Sequence, residues 1–337
     1  MAPKYQTPPY GLMAVDLNGV ALTMPPKFNQ GSAPEIAAEE YKTWFATTLA
    51  LLQKSVWPVW DQAARRWNDG NDQHTAEDVE DAIQKRTAED LRVGLGLQQM
   101  LDEVPTPPFP LLGIRPHKQF FLREDEKANG LKFPTMQYYD RNISPELASG
   151  IETRFFGGMT TRAGSVALQF KQRLQRPRAF QIAFLLECEA GKFVYHQANT
   201  AHSPAMISGH GLQGLMGGVS AVEALLSSNY PDVAQYLPAL WQFAIDMGDR
   251  RAMAGVHYPS DNLASWIVAL RLTPHVTVKE HADEILRQLS SAIKTQSAVY
   301  SALKAAIAGN SDHPLAAAWK LLHDQMPAEK SNSTATS

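Results

Sequence analysis

The sequence has almost no cysteine. Cys188 is the only one in 337 residues, which excludes an internal disulfide and the usual thiolate zinc sites; its apolar setting, AFLLECEAG, reads as an inert core thiol. Long apolar runs are missing too: none approaches the roughly 18 residues that span a bilayer, so no membrane span is expected. The N-terminal MAPKYQTPPYGLMAVDLNGVALTMPP has no unbroken apolar stretch, because Asp16 and Asn18 interrupt it, and a cytoplasmic location is the expectation. No charge of one sign dominates. Lys plus Arg number 31 against 34 Asp plus Glu, a net charge of -3, so the overall balance gives no reason to expect a nucleic-acid or acidic-membrane partner, and any cationic site must be local. No internal repeat is visible, and no GxxxxGK phosphate loop is present.

What the sequence does have is apolar residues, 44% of the chain, enough for a sizeable core. Residues 1–31, rich in Pro, Gly and Asn, read as an extended arm on the surface. Helical periodicity starts after Ser32, with Pro34 in the first turn, and runs to Trp67 with a kink expected at Pro58. Trp44, Trp57, Trp60 and Trp67 fall in this stretch and suit core packing or a homodimer interface. A second helix is expected from Thr75, where TAED has the form of a capping box, to about Asp102. The Pro-rich segment 104–134 then breaks the pattern; carrying Arg115, His117, Lys118 and Arg123, it reads as a solvated loop or as a lid over a site. Helices are expected again at 145–156, 160–174, 209–228, 231–253, 259–272, 277–308 and 313–325, followed by a disordered tail, 327–337. The fold class is therefore all-α, a helical bundle at 144–326 preceded by a helical elaboration at 32–143.

Three segments carry chemistry. In GDRRAMAGVHYPSDN (248–262), a helix beginning near Pro259 places His257 just outside its N-terminus and Asp261 in its first turn. The carboxylate can then reach back to one imidazole nitrogen, fix the tautomer and leave the other nitrogen as a nucleophile, while Arg251 holds an oxyanion. An ordinary His–Asp helix cap with a surface arginine fits the same residues. In SPAMISGHGLQG (203–214), Ser208, Gly209 and His210 open a helix whose unpaired N–H groups form an anion site. Gly209 there permits close backbone approach and His210 stands ready to protonate a leaving group. The glycines at 209, 211, 214, 217 and 218 point to tight helix packing. In FKQRLQRPRAFQ (170–181), Lys171, Arg173, Arg176 and Arg178 form either a solvated basic face or further cations for a phosphate dianion.

Taken in order, these segments resemble the signature K-x6-RP, (P)SGH, SR-x5-H-x3-D. It is shared by type 2 phosphatidic acid phosphatases, bacterial class A acid phosphatases and vanadium-dependent haloperoxidases. Arg251, His257 and Asp261 match the third part, with Arg250 in place of serine; Ser208-Gly209-His210 match the second, with Ile207 in place of proline. The first part admits two registers: Lys171 with Arg178, where Ala179 replaces proline, or Gln169 with Arg176-Pro177, where the lysine is lost. The Lys171/Arg178 register is preferred because it keeps both charges. The resemblance covers roughly residues 150–275.

The resemblance implies a helical bundle of the acid phosphatase/vanadium haloperoxidase type and a metal-independent phosphatase. His257 would attack phosphorus to form a phosphohistidine, Asp261 would orient it, and His210 would protonate the leaving alkoxide and then activate water. Lys171, Arg178, Arg251, Ser208 and the Gly209 N–H would hold the non-bridging oxygens, with His202 and Arg176 as further pocket residues. A neutral His257 and a protonated His210 predict a bell-shaped pH profile. The implied substrate is a soluble phosphomonoester or diphosphate, with no cofactor. The family's other activity would instead use vanadate as cofactor with halide and peroxide as substrates, and a non-catalytic helical scaffold is the third alternative.

Overall fold

The computed structural model of the chain describes residues 21–103, 145–182, 203–228 and 233–328. Helix α1 (Pro34–Ser55) opens on a proline whose fixed φ suits a first turn, and closes where the Val56 N–H reaches Leu52 O. It does not run on to Trp67 as the periodicity predicts. Pro58 has no N–H and disfavours a helical Trp57, so the chain leaves the helix and forms an antiparallel hairpin. Its strands are β1 (Val59–Asp61) and β2 (Arg66–Asn68), with Trp60 opposite Trp67. Asp61 Oδ1 accepts the N–H groups of Ala63 and Ala64, both at 2.9 Å, and closes the turn. Trp57 and Trp60 both pack edge-on against Trp67, which with Trp57 is buried in the core.

The arm expected on the surface is anchored at its described end. Phe28 is buried, stacked 4.8 Å from the His275 ring and edge-on to Tyr41 and Trp44; a ring of this size gains more from the core than from solvent. Helix α2 (Ala76–Glu103) begins as the sequence predicts: Thr75 Oγ1 accepts the Asp78 N–H at 3.2 Å, and Asp78 Oδ2 accepts the Thr75 N–H at 2.9 Å.

The rest of the described chain is helical: α3 (Pro145–Thr161), α4 (Val166–Leu174), the single turn α5 (Ala179–Ile182), α6 (Gly209–Leu226), α7 (Val233–Met253), α8 (Pro259–Val276), α9 (Lys279–Gln296), α10 (Ala298–Ile307) and α11 (Ala316–Gln325). Helices with one small hairpin make the described residues mainly α, and none of these helices is long and apolar enough to cross a membrane. Two helices form the centre. Helix α6 lies between α3 and α7, where a Cβ on Gly214 would come 2.5 Å from Ala244 O and one on Gly217 would come 2.8 Å from the Phe155 ring. Helix α8 is buried along the whole of Pro259–Leu270 and packs on α6, α7, α9, α10 and α11, as a helix without a continuous polar face must.

The single helix expected at 277–308 is two. Ser297 takes an extended conformation between α9 and α10; its Oγ accepts the Tyr300 N–H at 2.9 Å and donates to buried Asp249, 2.9 Å from Oδ2. The carboxylate on α7 thus holds the serine out of the helix, also accepting from the Val299 N–H and from Asn262. Burial raises the Asp249 carboxyl from 3.8 to about 7, outweighing these donors. The folded state therefore keeps a proton that the unfolded chain releases, and the stability from this group falls as pH rises through that window. Asp249→Asn removes the titration. Thermal melts at about pH 5 and about pH 8 should show a smaller loss of Tm in the variant than in the wild type, and parallel profiles would contradict the assignment.

Candidate active site

The N-termini of the two central helices meet. Ser208 caps α6 by accepting the Gly211 N–H at 3.1 Å, its own N–H donates to Asp261 O at 3.3 Å, and Ser265 on α8 donates to Ser208 O at 2.9 Å. A helix N-terminus stabilises nearby negative charge, and here two of them meet. A Cβ on Gly211 would press on Ser208 Oγ at 3.1 Å, whereas one on Gly209 meets Ala167 Cβ at 4.0 Å and nothing closer among the described residues. Packing therefore explains glycine at 211, 214 and 217, but not at 209.

His257 is brought to this junction by a turn. After α7, Gly255 adopts φ +72°, a conformation that favours glycine, and the N–H groups of Val256 and His257 both return to Arg251 O at 3.1 Å. The Asp261 side chain then spans back across the start of α8. Its Oδ2 accepts the Tyr258 N–H at 3.0 Å and lies 2.9 Å from His257 Nδ1. On the far side of the ring, Arg178 Nη1 is 2.8 Å from Nε2. A guanidinium has no acceptor, so Nε2 presents its lone pair and the imidazole proton sits on Nδ1, donated to Asp261. The geometry thus fixes a neutral imidazole with one defined tautomer. Electrostatics agree: burial first, then the charges of Arg178, Lys171, Arg251 and His210, hold His257 well below the usual histidine range.

The cations come from three places. Arg178, 1% exposed, is fixed by Ser203 O at 2.8 Å from Nε and by Val256 O at 3.0 Å from Nη1. Lys171, on α4 and 3% exposed, donates to the carbonyls of Pro204 and of Ala205, the latter at 3.0 Å, and so pins the segment that leads into Ser208. An ammonium carries three donors, so this leaves Lys171 able to serve a ligand as well as the loop. Burial, then Arg178, drives its pKa well down, with Asp261 opposing and Arg251 adding to the fall. Arg251, in the last turn of α7, is buried, and its charge reaches both Lys171 and His257. Arg250, where the resembled signature has serine, faces Asp246 at 3.9 Å.

Arg176 is not one of these. It is completely buried, with its guanidinium carbon 4.2 Å from the centre of the Trp57 ring and 3.7 Å from that of Tyr258. Nη1 donates to Asp261 Oδ1 at 2.9 Å and to Ser260 Oγ at 2.7 Å, and Nη2 donates to Asp90 Oδ2 at 2.7 Å. Arg176 and Arg178 therefore bracket the His257–Asp261 pair, one at each end. Arg176, expected on the pocket wall, lies behind the aspartate. Burial pushes the Asp261 carboxyl up, and Arg176 and the Tyr258 N–H pull it back.

Lys171, Arg178, Ser208, Gly209, His210, Arg251, His257 and Asp261 are thus brought to one junction, with His210 half-buried as the second residue of α6. His202, Cys188 and the segment 104–134 lie outside the described residues. Among the described residues, no group of three or more His, Cys, Asp or Glu side chains is arranged to hold a metal ion. Asp90 on α2 was not singled out by the sequence, and Trp57 was read there only as core or interface packing; the one sequence signal for Asp90 is a carboxylate on a mainly apolar helix face, which the structure buries completely. No family model, curated protein or solved structure matches the chain.

Proposed function

We propose that this protein is a phosphatase that transfers the phosphoryl group of a soluble phosphomonoester or diphosphate to His257, on a bundle of the acid phosphatase/vanadium haloperoxidase type. The observation that carries the reading is the single chain of contacts Asp261–His257–Arg178, 2.9 Å and 2.8 Å at its two ends. It gives a buried imidazole an anionic orienter on one nitrogen and a cation on the other, at the N-terminus of a helix. A carboxylate at Nδ1 stabilises the positive charge that the ring gains on attack, and the surrounding cations hold the oxygens on which negative charge is concentrated.

The steps follow from the groups present. The Arg178 Nη1–H moves from Nε2 to a phosphoryl oxygen, and the Nε2 lone pair forms the N–P bond in line with the leaving oxygen. The P–O bond breaks, its electron pair goes to the leaving oxygen, and His210 supplies the proton. Neutral His210 then takes a proton from water, whose oxygen attacks phosphorus; the N–P bond breaks and inorganic phosphate leaves. Positioning and charge stabilisation supply the acceleration, as phosphoryl transfer requires.

The test is a paired assay without added metal: p-nitrophenyl phosphate hydrolysis with and without vanadate, and bromide oxidation with vanadate and peroxide. Hydrolysis abolished by vanadate is the expected result. Bromide oxidation without hydrolysis would reassign the same residues to holding vanadate as a cofactor, and neither activity in a folded protein would leave a helical scaffold.

A further inference from the structure

The region before residue 104 lies outside the span that resembles a known signature, yet it reaches the active site at two points. Gln98 Nε2 donates to Met253 O at 3.1 Å, where α7 turns toward His257. Asp90, in the middle of α2, accepts from Ser260 and Arg176: Oδ1 takes the Ser260 N–H at 3.0 Å, and Oδ2 takes Ser260 Oγ at 2.5 Å and Arg176 Nη2 at 2.7 Å. The carboxylate thereby caps the first turn of α8 from another helix, one residue from Asp261.

The contacts form one buried chain, Asp90–Arg176–Asp261–His257. The Trp57 and Tyr258 rings pack on the Arg176 guanidinium, and Asp90 with Ser260 fixes two of its N–H groups. Arg176 in turn occupies Asp261 Oδ1, which leaves Oδ2 for His257 Nδ1. Charge matters as much as geometry. A lone arginine against Asp261 would draw its negative charge away from the imidazole; Asp90 offsets that pull, so Asp261 remains a strong acceptor. We infer that Asp90 is a positioning residue of the reaction: acting through Arg176, it aims Asp261 and the His257 imidazole, which makes the α1–α2 region a working part of the active site. The inference rests on the phosphatase reading for its kinetic consequence and on geometry alone for its structural one.

Asp90→Asn tests it, with two readouts that mere loss of packing would not move together. The first is steady-state hydrolysis of p-nitrophenyl phosphate: kcat should fall about 10- to 100-fold, by analogy with the loss of partners that orient metal-bound histidines. KM should change by less than about threefold, because Asp90 touches none of the oxyanion-holding groups. The second is the low-field proton resonance of His257 Nδ1–H, assigned by its loss in His257→Gln, which should move upfield as the bond to Asp261 weakens. Removing one partner of a buried pair is strongly destabilising, so Ser260→Ala is measured beside it. That change keeps the Asp90–Arg176 contact and the Ser260 N–H, and should move both readouts in the same direction by a smaller amount. Folded variants with unchanged kcat and an unmoved resonance would overturn the positioning role. A moved resonance in a protein that hydrolyses nothing would uphold it and overturn the phosphatase reading instead.

Discussion

His257→Gln is expected to abolish turnover of p-nitrophenyl phosphate, a loss of at least about 10⁴-fold, while helix content by circular dichroism stays at the wild-type level. The reason is the bond that cannot form. Glutamine fills much of the space of the imidazole and can still donate toward Asp261, but its amide nitrogen offers no lone pair to phosphorus. The covalent intermediate gives a second, independent measurement. Wild-type protein quenched during turnover of a labelled substrate should carry acid-labile, base-stable phosphate, and the variant none. Retained turnover would remove His257 as the nucleophile, whatever the surrounding geometry.

Arg178→Met is expected to lower kcat/KM by about 10²- to 10³-fold, the usual effect of losing one preorganised donor to a developing oxyanion. It should also reshape the pH profile. Burial and then Arg178 are the largest influences holding His257 below the usual histidine range, so removing the guanidinium raises that pKa. Protonation at Nε2 destroys the nucleophile. The acid limb of kcat/KM therefore moves to higher pH, and the variant loses more activity on the acid side than at neutrality. Arg178→Lys keeps a charge without the fork that also binds Ser203 O and Val256 O, and should recover the position of the limb better than the rate. An acid limb unmoved in Arg178→Met would show that Arg178 does not act on His257. Because Arg178 also fixes two carbonyls, a melting curve should accompany the kinetics, and some loss of Tm is expected.

Both effects depend on burial. A surface arginine beside a histidine is screened by water and contributes little; the same pair at 1% and 3% exposure sits where each charge is felt strongly. In this fold the first turns of the central helices α6 and α8 meet beside the buried cations, so those charges act in one low-dielectric place.

The sequence by itself determined the elements whose causes are local. Helical class followed from periodicity, the start of α2 from a Thr–Asp capping box one turn long, and the His257–Asp261 contact from a spacing of four residues across a helix start. Those interactions close within a turn, so no distant partner is needed to form them. The sequence misjudged the stretch after Ser55, because Pro58 and the Asp61 turn override an apolar periodicity that continues through Trp67. It also read 277–308 as unbroken, because the residue that interrupts it, Ser297, is held by Asp249, 48 positions earlier.

Only the tertiary structure decided the rest. Two arginines flank Pro177; their spacing from Lys171 favours Arg178 for the pocket, but nothing in the sequence puts Arg176 behind Asp261, where the Trp57 and Tyr258 rings and Asp90, 86 residues before Arg176, hold it. Long-range partners of this kind leave no periodic trace along the chain, because the requirement they meet is to satisfy one buried charge, and any residue that the fold delivers to the right point can meet it.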